Sequence, residues 1–170
     1  MDKNNKKITI AGAGPVGALL GVMLAKKGHQ VDLFESRPDS RQTNIYQGKS
    51  INLALSDKGW LALEAVGIAD EIRKNAIPMY NRVMHDIEGN ITKQPYGKDI
   101  QAIWSVSRSG INEQLISMAE AEANCNVHFR HHLTDLNFDD CNARFDHDGE
   151  QVQHKSDLVI GADGAFSKVR

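Results

Sequence analysis

The sequence predicts an α/β protein built on a Rossmann-like parallel sheet. Three observations carry the prediction. A short β-branched strand, Lys6 to Ala11, runs into the glycine turn Gly12-Ala13-Gly14-Pro15-Val16-Gly17 and then directly into an apolar helix. A second strand, Gln30 to Glu35, ends on an acid 21 residues after Gly14. Near the far end, Leu158-Val159-Ile160 forms an apolar strand core that runs into Gly161-Ala162-Asp163-Gly164. That pattern suits a buried parallel strand delivering residues to its C-terminal edge.

In the glycine turn each residue type has a task. Gly12 permits the sharp turn from strand to helix, Gly14 lets backbone approach a pyrophosphate, and Gly17 allows close packing of the helix. Pro15 fits the first helical turn, where an N–H has no intrahelical partner. The free N–H groups and positive end of the helix then favour a phosphate. The helix spans about Val16 to Lys27, with Leu19, Leu20, Met23 and Leu24 as its apolar face and Gly28 as its stop. Glu35 stands where a carboxylate accepts hydrogen bonds from an adenosine ribose. Arg37, just beyond it, suits either an adenine or phosphate contact or a solvated loop charge.

After a polar stretch, Lys49 to Leu55 reads as a strand. Ser56 caps a helix with Trp60, Leu61, Leu63 and Val66 as its apolar set, closed by Gly67. Trp60 is expected in the core, as aromatics on apolar helix faces usually are. A short helix spans Ala69 to Asn75. Met79 to Ile87 and Ile91 to Gln94 flank Glu88-Gly89-Asn90 as a hairpin. Ala102 to Val106 is a strand, and Ser109 caps a helix whose stripe is Ile111, Leu115 and Met118. Arg108 sits at that strand-to-helix junction. Strands follow at Asn126 to Arg130, Leu133 to Phe138 and Ala143 to Asp146. His128, His131 and His132 lack the companion ligands of a metal centre and are expected at the surface or in turns, so no metal is assigned.

Composition bounds the rest. With 41% hydrophobic and 25% charged residues, the chain has enough apolar material for one globular domain. A net charge of -2 with no basic stripe argues against nucleic acid as a partner. No apolar run is long enough to span a bilayer, and the charged start lacks the apolar region of a signal peptide. Cys125 and Cys141 have no metal-like spacing, which points to a reducing, cytoplasmic setting.

Together these residues resemble the class A flavin-dependent aromatic hydroxylases. That family carries the same glycine turn and acidic strand end. It also has a second motif, Asp-x-x-x-Gly-x-Asp-Gly-x-x-Ser-x-x-Arg, matched here at Asp157, Gly161, Asp163, Gly164, Ser167 and Arg170. Gly48 to Ser56, Ile77-Pro78-Met79 with Arg82, Met84 and His85, Pro95-Tyr96-Gly97 and Ser105 to Arg108 are similar to the family's kynurenine 3-monooxygenase branch. The likeness covers essentially the whole chain.

The resemblance implies a Rossmann-like FAD-binding fold of the three-layer ββα type, with part of an inserted substrate-domain sheet at about 76–107. Residues 1–170 then form the N-terminal part of such a domain, truncated relative to family members, which continue past this point. FAD is implied to contact Gly12, Gly14, Val16, Gly17, Phe34, Glu35, Ser36, Arg37, Ala54, Arg108, Leu133, Asp163 and Gly164. Arg82 and Tyr96 match the pair that holds the carboxylate of L-kynurenine. The implied reaction hydroxylates L-kynurenine with NADPH and O2. The cofactor makes the bonds, so no residue is assigned as catalytic. Two alternatives stand beside this reading: a class A hydroxylase of another aromatic, and a non-catalytic nucleotide-binding module.

Overall fold

The computed structural model describes residues 5–42, 51–98 and 101–170. Residues 1–49 with 112–170 form one unit and residues 50–111 a second. In chain order the first unit begins with β1 (Lys7–Ala11), α1 (Pro15–Lys26) and β2 (Gln30–Phe34). The second carries β3 (Asn52–Leu55), α2 (Asp57–Val66), α3 (Ala69–Arg73), β4 (Ile77–Met79), β5 (Asn81–His85), β6 (Ile91–Pro95) and β7 (Ile103–Ser107). Helix α4 (Arg108–Ala121) leads back to the first unit. There β8 (Cys125–His128), β9 (His131–Asn137), β10 (Asn142–His147), β11 (Glu150–Lys155) and β12 (Leu158–Gly161) follow.

The first unit is a three-layer arrangement centred on β1. The strand pairs in parallel with β2 and β12, and β8 extends the sheet beyond β2, giving the order β12-β1-β2-β8. Ile8, Ile10, Val31 and Leu33 are buried on one face. On the other, Ala11 and Phe34 pack with Leu133, Ala143 and Phe145 of the antiparallel meander β9-β10-β11. Sheet, meander and α1 thus form the expected ββα layering of an α/β nucleotide-binding fold.

The buried face of α1 differs from the expected one. It consists of Gly17, Ala18, Gly21, Val22 and Ala25, while Leu19, Leu20, Met23 and Leu24 are only half-buried. Close approach to the sheet selects small residues: a Cβ on Gly21 would lie 2.6 Å from Leu33 Cδ1. β12 is parallel to β1 as expected and stands last in the strand order among the described residues, with Leu158 41% exposed. Two further corrections concern strands. β11 has no counterpart in the sequence reading, because Val152 is its one strongly apolar residue. The strand expected to reach Arg130 stops at His128, since Arg130 turns with φ 58.

In the second unit β3, β7 and β4 form an antiparallel sheet and β5–β6 a hairpin. The strand expected from Met79 to Ile87 is therefore two strands, β4 and β5. The expected strand at Lys49 to Leu55 is seen as Asn52–Leu55, residues 49 and 50 lying outside the described residues. Trp60 is buried as expected, edge-on to Trp104 at 5.8 Å and beneath the Arg73 guanidinium at 4.5 Å. Leu61 is exposed, and Ser56 precedes α2 without a side-chain cap, so backbone geometry alone starts that helix. Gly67 ends α2 in the left-handed region. Ser109 lies inside α4; Ser107 does the capping, its Oγ accepting the Gly110 N–H at 3.1 Å.

Candidate dinucleotide-binding site

The C-terminal ends of β1, β2 and β12 converge on the glycine turn. Gly12 has φ 97 and donates its N–H to Phe34 O at 2.7 Å, fixing the turn against β2. A Cβ at Gly12 would lie 2.4 Å from Ala162 O, and one on Gly17 would lie 1.9 Å from Gly12 O. Both glycines therefore serve backbone-to-backbone packing. Gly14 differs. It is the N-cap of α1, makes no side-chain cap, and nothing stands within 4 Å of a Cβ placed on it. The space in front of the helix N-terminus is thus open, and Val16 in the first turn is 72% exposed.

Glu35 reaches across from the end of β2. Its Oε2 accepts the Ala13 N–H at 3.0 Å, and its Oε1 accepts the Arg37 N–H at 3.0 Å. Main chain brackets Glu35 as well: its N–H donates to His128 O at 2.8 Å, and its carbonyl accepts the His131 N–H at 2.9 Å. Arg130 N–H likewise donates to Arg37 O at 3.1 Å. Ser36 and Arg37 are exposed, whereas the side chains of Phe34 and Leu133 belong to the core. Those two can meet a ligand only through main chain. After β12, Gly164 takes φ 83, and Asp163 Oδ2 accepts the Lys168 N–H at 2.7 Å. Asp163 Oδ1 is buried without a partner. Burial raises the Asp163 pKa, but hydrogen bonds from Ser167 and Lys168 outweigh it and leave the carboxyl below its ordinary value.

The remaining expected residues lie in the second unit or at its end. Ala54 is exposed on β3, and Arg108 is exposed at the first position of α4. On the hairpin, Arg82 pairs with Gln94, and the ladder continues through Tyr96 N–H to Tyr80 O at 3.0 Å. Tyr96 is two residues from Gln94, so strand alternation sets Arg82 and Tyr96 toward one face.

The sequence reading missed a polar cluster behind the site. Asp32, in the middle of β2, is 4% exposed. Its Oδ1 accepts hydrogen bonds from His128 Nε2 and Asn126 Nδ2, both at 3.1 Å. His154 Nε2 comes within 3.2 Å of Oδ2, an ion-pair distance without a formed hydrogen bond. Burial pushes the Asp32 carboxyl up, but His128, His154 and Asn126 more than offset this and hold it far below the usual carboxylate range. His128, about a third exposed, is more than a surface histidine: it pairs with Asp32 and stacks on Phe34 at 4.5 Å. Of the three expected surface or turn histidines, only His132 is exposed. An acid flanked by Val31, Leu33 and Phe34 was the available signal, because a strand buried on both faces must pair any charge it carries. Among the described residues, no group of three or more His, Cys, Asp or Glu is placed to hold a metal.

The sequence profile of the FAD binding domain family (FAD_binding_3) matches residues 5–170. The chain belongs to that family. This FAD binding domain is 40% identical over 166 residues to the kynurenine 3-monooxygenase of Flavobacterium johnsoniae, covering 96% of this chain and 36% of the relative. It is 42% identical to that of Myxococcus xanthus, with the same coverage. The kynurenine 3-monooxygenase of Drosophila melanogaster is 41% identical over 97% of the chain and 36% of its own length. The chain thus spans about a third of the length of these relatives. In fold, the FAD binding domain is similar to p-nitrophenol 4-monooxygenase PnpA from Pseudomonas putida, with TM-score 0.81 and 20% identity over 98% of this chain and 42% of that one. It is also similar to the flavin-dependent monooxygenase PieE in complex with FAD and substrate, with TM-score 0.79 and 19% identity over 99% of this chain and 32% of that one.

The residues present fit the adenosine and pyrophosphate of FAD. The open Gly14 position and the uncapped first turn of α1 suit phosphate oxygens, which hydrogen-bond to helix N–H groups. The Glu35 carboxylate beside Ala13 suits ribose hydroxyls. The unpartnered Asp163 Oδ1 is an acceptor in want of a donor.

Proposed function

We propose that the protein carrying this chain hydroxylates L-kynurenine to 3-hydroxykynurenine, consuming NADPH, a proton and O2 and releasing NADP+ and water. The observation that carries the reading is the roughly 40% identity, over nearly the whole chain, to relatives named for that activity. The intact glycine turn with Glu35 supports it. FAD, when bound, supplies the electron transfer and oxygen activation. The chain's own part is to seat and orient. The N–H groups at the start of α1 take the pyrophosphate, Glu35 takes the ribose, and Val16 covers the phosphates. Main chain at Phe34, Ser36, Arg37 and Leu133 borders the adenosine, with Ala54, Arg108, Asp163 and Gly164 as further contacts.

Arg82 and Tyr96 hold the substrate carboxylate. A planar guanidinium offers two parallel hydrogen bonds and a phenol a third, and the hairpin register that turns both residues to one face supports their acting together. The described residues include no helix long and apolar enough to cross a membrane. The two free thiols, Cys125 and Cys141, support a cytoplasmic setting.

The test is turnover by the full-length protein with FAD, NADPH and L-kynurenine, followed as 3-hydroxykynurenine formed. It is joined to a kynurenine titration of Arg82→Ala after both proteins are shown to hold FAD equally. Arg82→Ala should weaken kynurenine by about 30-fold or more, since an unpaired desolvated charge costs about 2–5 kcal/mol. Flavin loading with no product from kynurenine would remove the substrate assignment. Unchanged kynurenine affinity in the variant would remove Arg82 from the site.

A further inference from the structure

The cluster around Asp32 has no part in the seat described above, yet it adjoins the main chain that brackets Glu35. Three elements meet at this one carboxylate. Asp32 belongs to β2, Asn126 and His128 to the neighbouring strand β8, and His154 to β11 in the meander layer above. A carboxylate far below its usual pKa is an acceptor only, so His128 Nε2 must carry the hydrogen that it shares with Oδ1. The ring is held on its face too, stacked on Phe34, which in turn stacks on Phe145 at 4.0 Å. The opposite flank of Asp32 offers no support: Thr9 lies directly across on β1, and its buried hydroxyl has no hydrogen-bond partner. Asp32 is therefore anchored toward β8 and the meander.

His128 is the last residue of β8, and its carbonyl receives the Glu35 N–H at 2.8 Å. The chain then reverses through Arg130, and His131 N–H returns to Glu35 O at 2.9 Å. Beyond Phe34 the regular pairing of β2 has ended, so Glu35 relies on this turn for its place. An error of a few tenths of an ångström there would be felt by the Glu35 carboxylate and its bond to Ala13.

We infer that Asp32 is a positioning residue for the ribose-binding carboxylate: through His128 it fixes the 128–131 turn that brackets Glu35. This rests on the reading of Glu35 as the ribose ligand, and the test separates the two.

The experiment is a double-mutant cycle on FAD affinity in the full-length protein, using Asp32→Asn, Glu35→Gln and the pair, with urea unfolding of each. Asn keeps the shape of Asp32 but is neutral: its Oδ1 offers His128 only an ordinary hydrogen bond in place of the stronger charge-assisted one, and its NH2 group replaces the oxygen that faces the His154 ring. Each single variant should weaken FAD by about tenfold, within the coupling range of residues in one hydrogen-bond network. Asp32→Asn should change affinity by less than about twofold once Glu35 is already Gln. A merely structural role would give the same loss in both backgrounds, and that additivity overturns the proposal. Unchanged affinity in Glu35→Gln alone sinks the ribose reading, and the proposal with it. If Asp32→Asn does not fold, His128→Gln and His128→Leu replace it. Gln retains an Nε2–H donor and should bind FAD nearly as wild type, whereas Leu should lose about tenfold. Equal affinity for the Gln and Leu variants overturns the proposal by the second route.

Discussion

Gly12 and Gly14 belong to one motif but should fail in opposite ways when each is replaced by alanine. At Gly12 a side chain faces two penalties. The backbone has φ 97, where a non-glycine residue costs about 1–3 kcal/mol. Its Cβ would also lie 2.4 Å from Ala162 O and 2.8 Å from Asp163 Cα, both main chain. That main chain cannot retreat freely, since Ala162 N–H is bonded to Ala11 O at 2.7 Å. Overpacking of this kind costs about another 1–3 kcal/mol. The sum, roughly 2–6 kcal/mol, is a large part of the roughly 5–15 kcal/mol that holds a domain together. Gly14 has φ -64 and ψ 178, which alanine adopts freely and which suits a residue before proline. With nothing within 4 Å of its Cβ, Gly14→Ala should cost at most about 1 kcal/mol, the difference between a fair and a poor N-cap. That Cβ would, however, stand where phosphate oxygens approach the helix, so FAD affinity should fall by about tenfold or more, near 1.4 kcal/mol. Urea unfolding followed by circular dichroism, with FAD titration of each variant, separates the two effects. A wild-type unfolding midpoint in Gly12→Ala would refute the packing argument. Wild-type FAD affinity in Gly14→Ala would refute the phosphate seat.

Three further outcomes are expected. Asp32 titrates below the usual carboxylate value of about 3.9 in the folded chain. Its stabilisation is therefore complete above that pH and is lost as pH falls below it. At pH 7 Asp32→Asn should cost about 3–5 kcal/mol, and its Tm deficit should narrow between about pH 5 and 3; a deficit constant with pH would contradict the assignment. Cys125 is buried, which together with the Asp32 charge pushes its thiol up to about 11. A thiol reagent at pH 7.5 should label one cysteine of this domain, Cys141, in the native state and both in urea, and rapid native labelling of Cys125 would count against its burial. Arg41 grips Asp39 through Nε and NH2, each at 2.8 Å, and Glu120 through NH1 at 2.7 Å, tying the loop after β2 to α4. Arg41→Ala should destabilise the domain by about 1–3 kcal/mol, and Arg41→Lys should recover only part of this, because an ammonium cannot reproduce the two-pronged contact. Equal midpoints for the Ala and Lys variants in urea would show that the fork geometry does not matter.

What the sequence determined by itself is whatever depends on neighbours along the chain. The β1 strand, the glycine turn, the start of α1 and the position of Glu35 follow from local rules: β-branched residues favour strands, and a residue with positive φ is best a glycine. The β5–β6 hairpin follows likewise, with Gly89 at φ 88 in its turn. The family resemblance came from the same short motifs. Only the tertiary structure decided which face of α1 is buried, because the criterion was closeness to Leu33 rather than hydrophobicity, and closeness rewards Gly21 over Leu20. It decided that the polar β11 is a strand, since a ladder is made by backbone groups that any side chain allows. It decided above all the fate of the histidines. His128 is 96 residues from Asp32 in sequence and His154 is 122, and nothing local distinguishes either from the exposed His132. A buried carboxylate chooses its partners by distance in space, after the strands have paired, and no spacing along the chain encodes that choice.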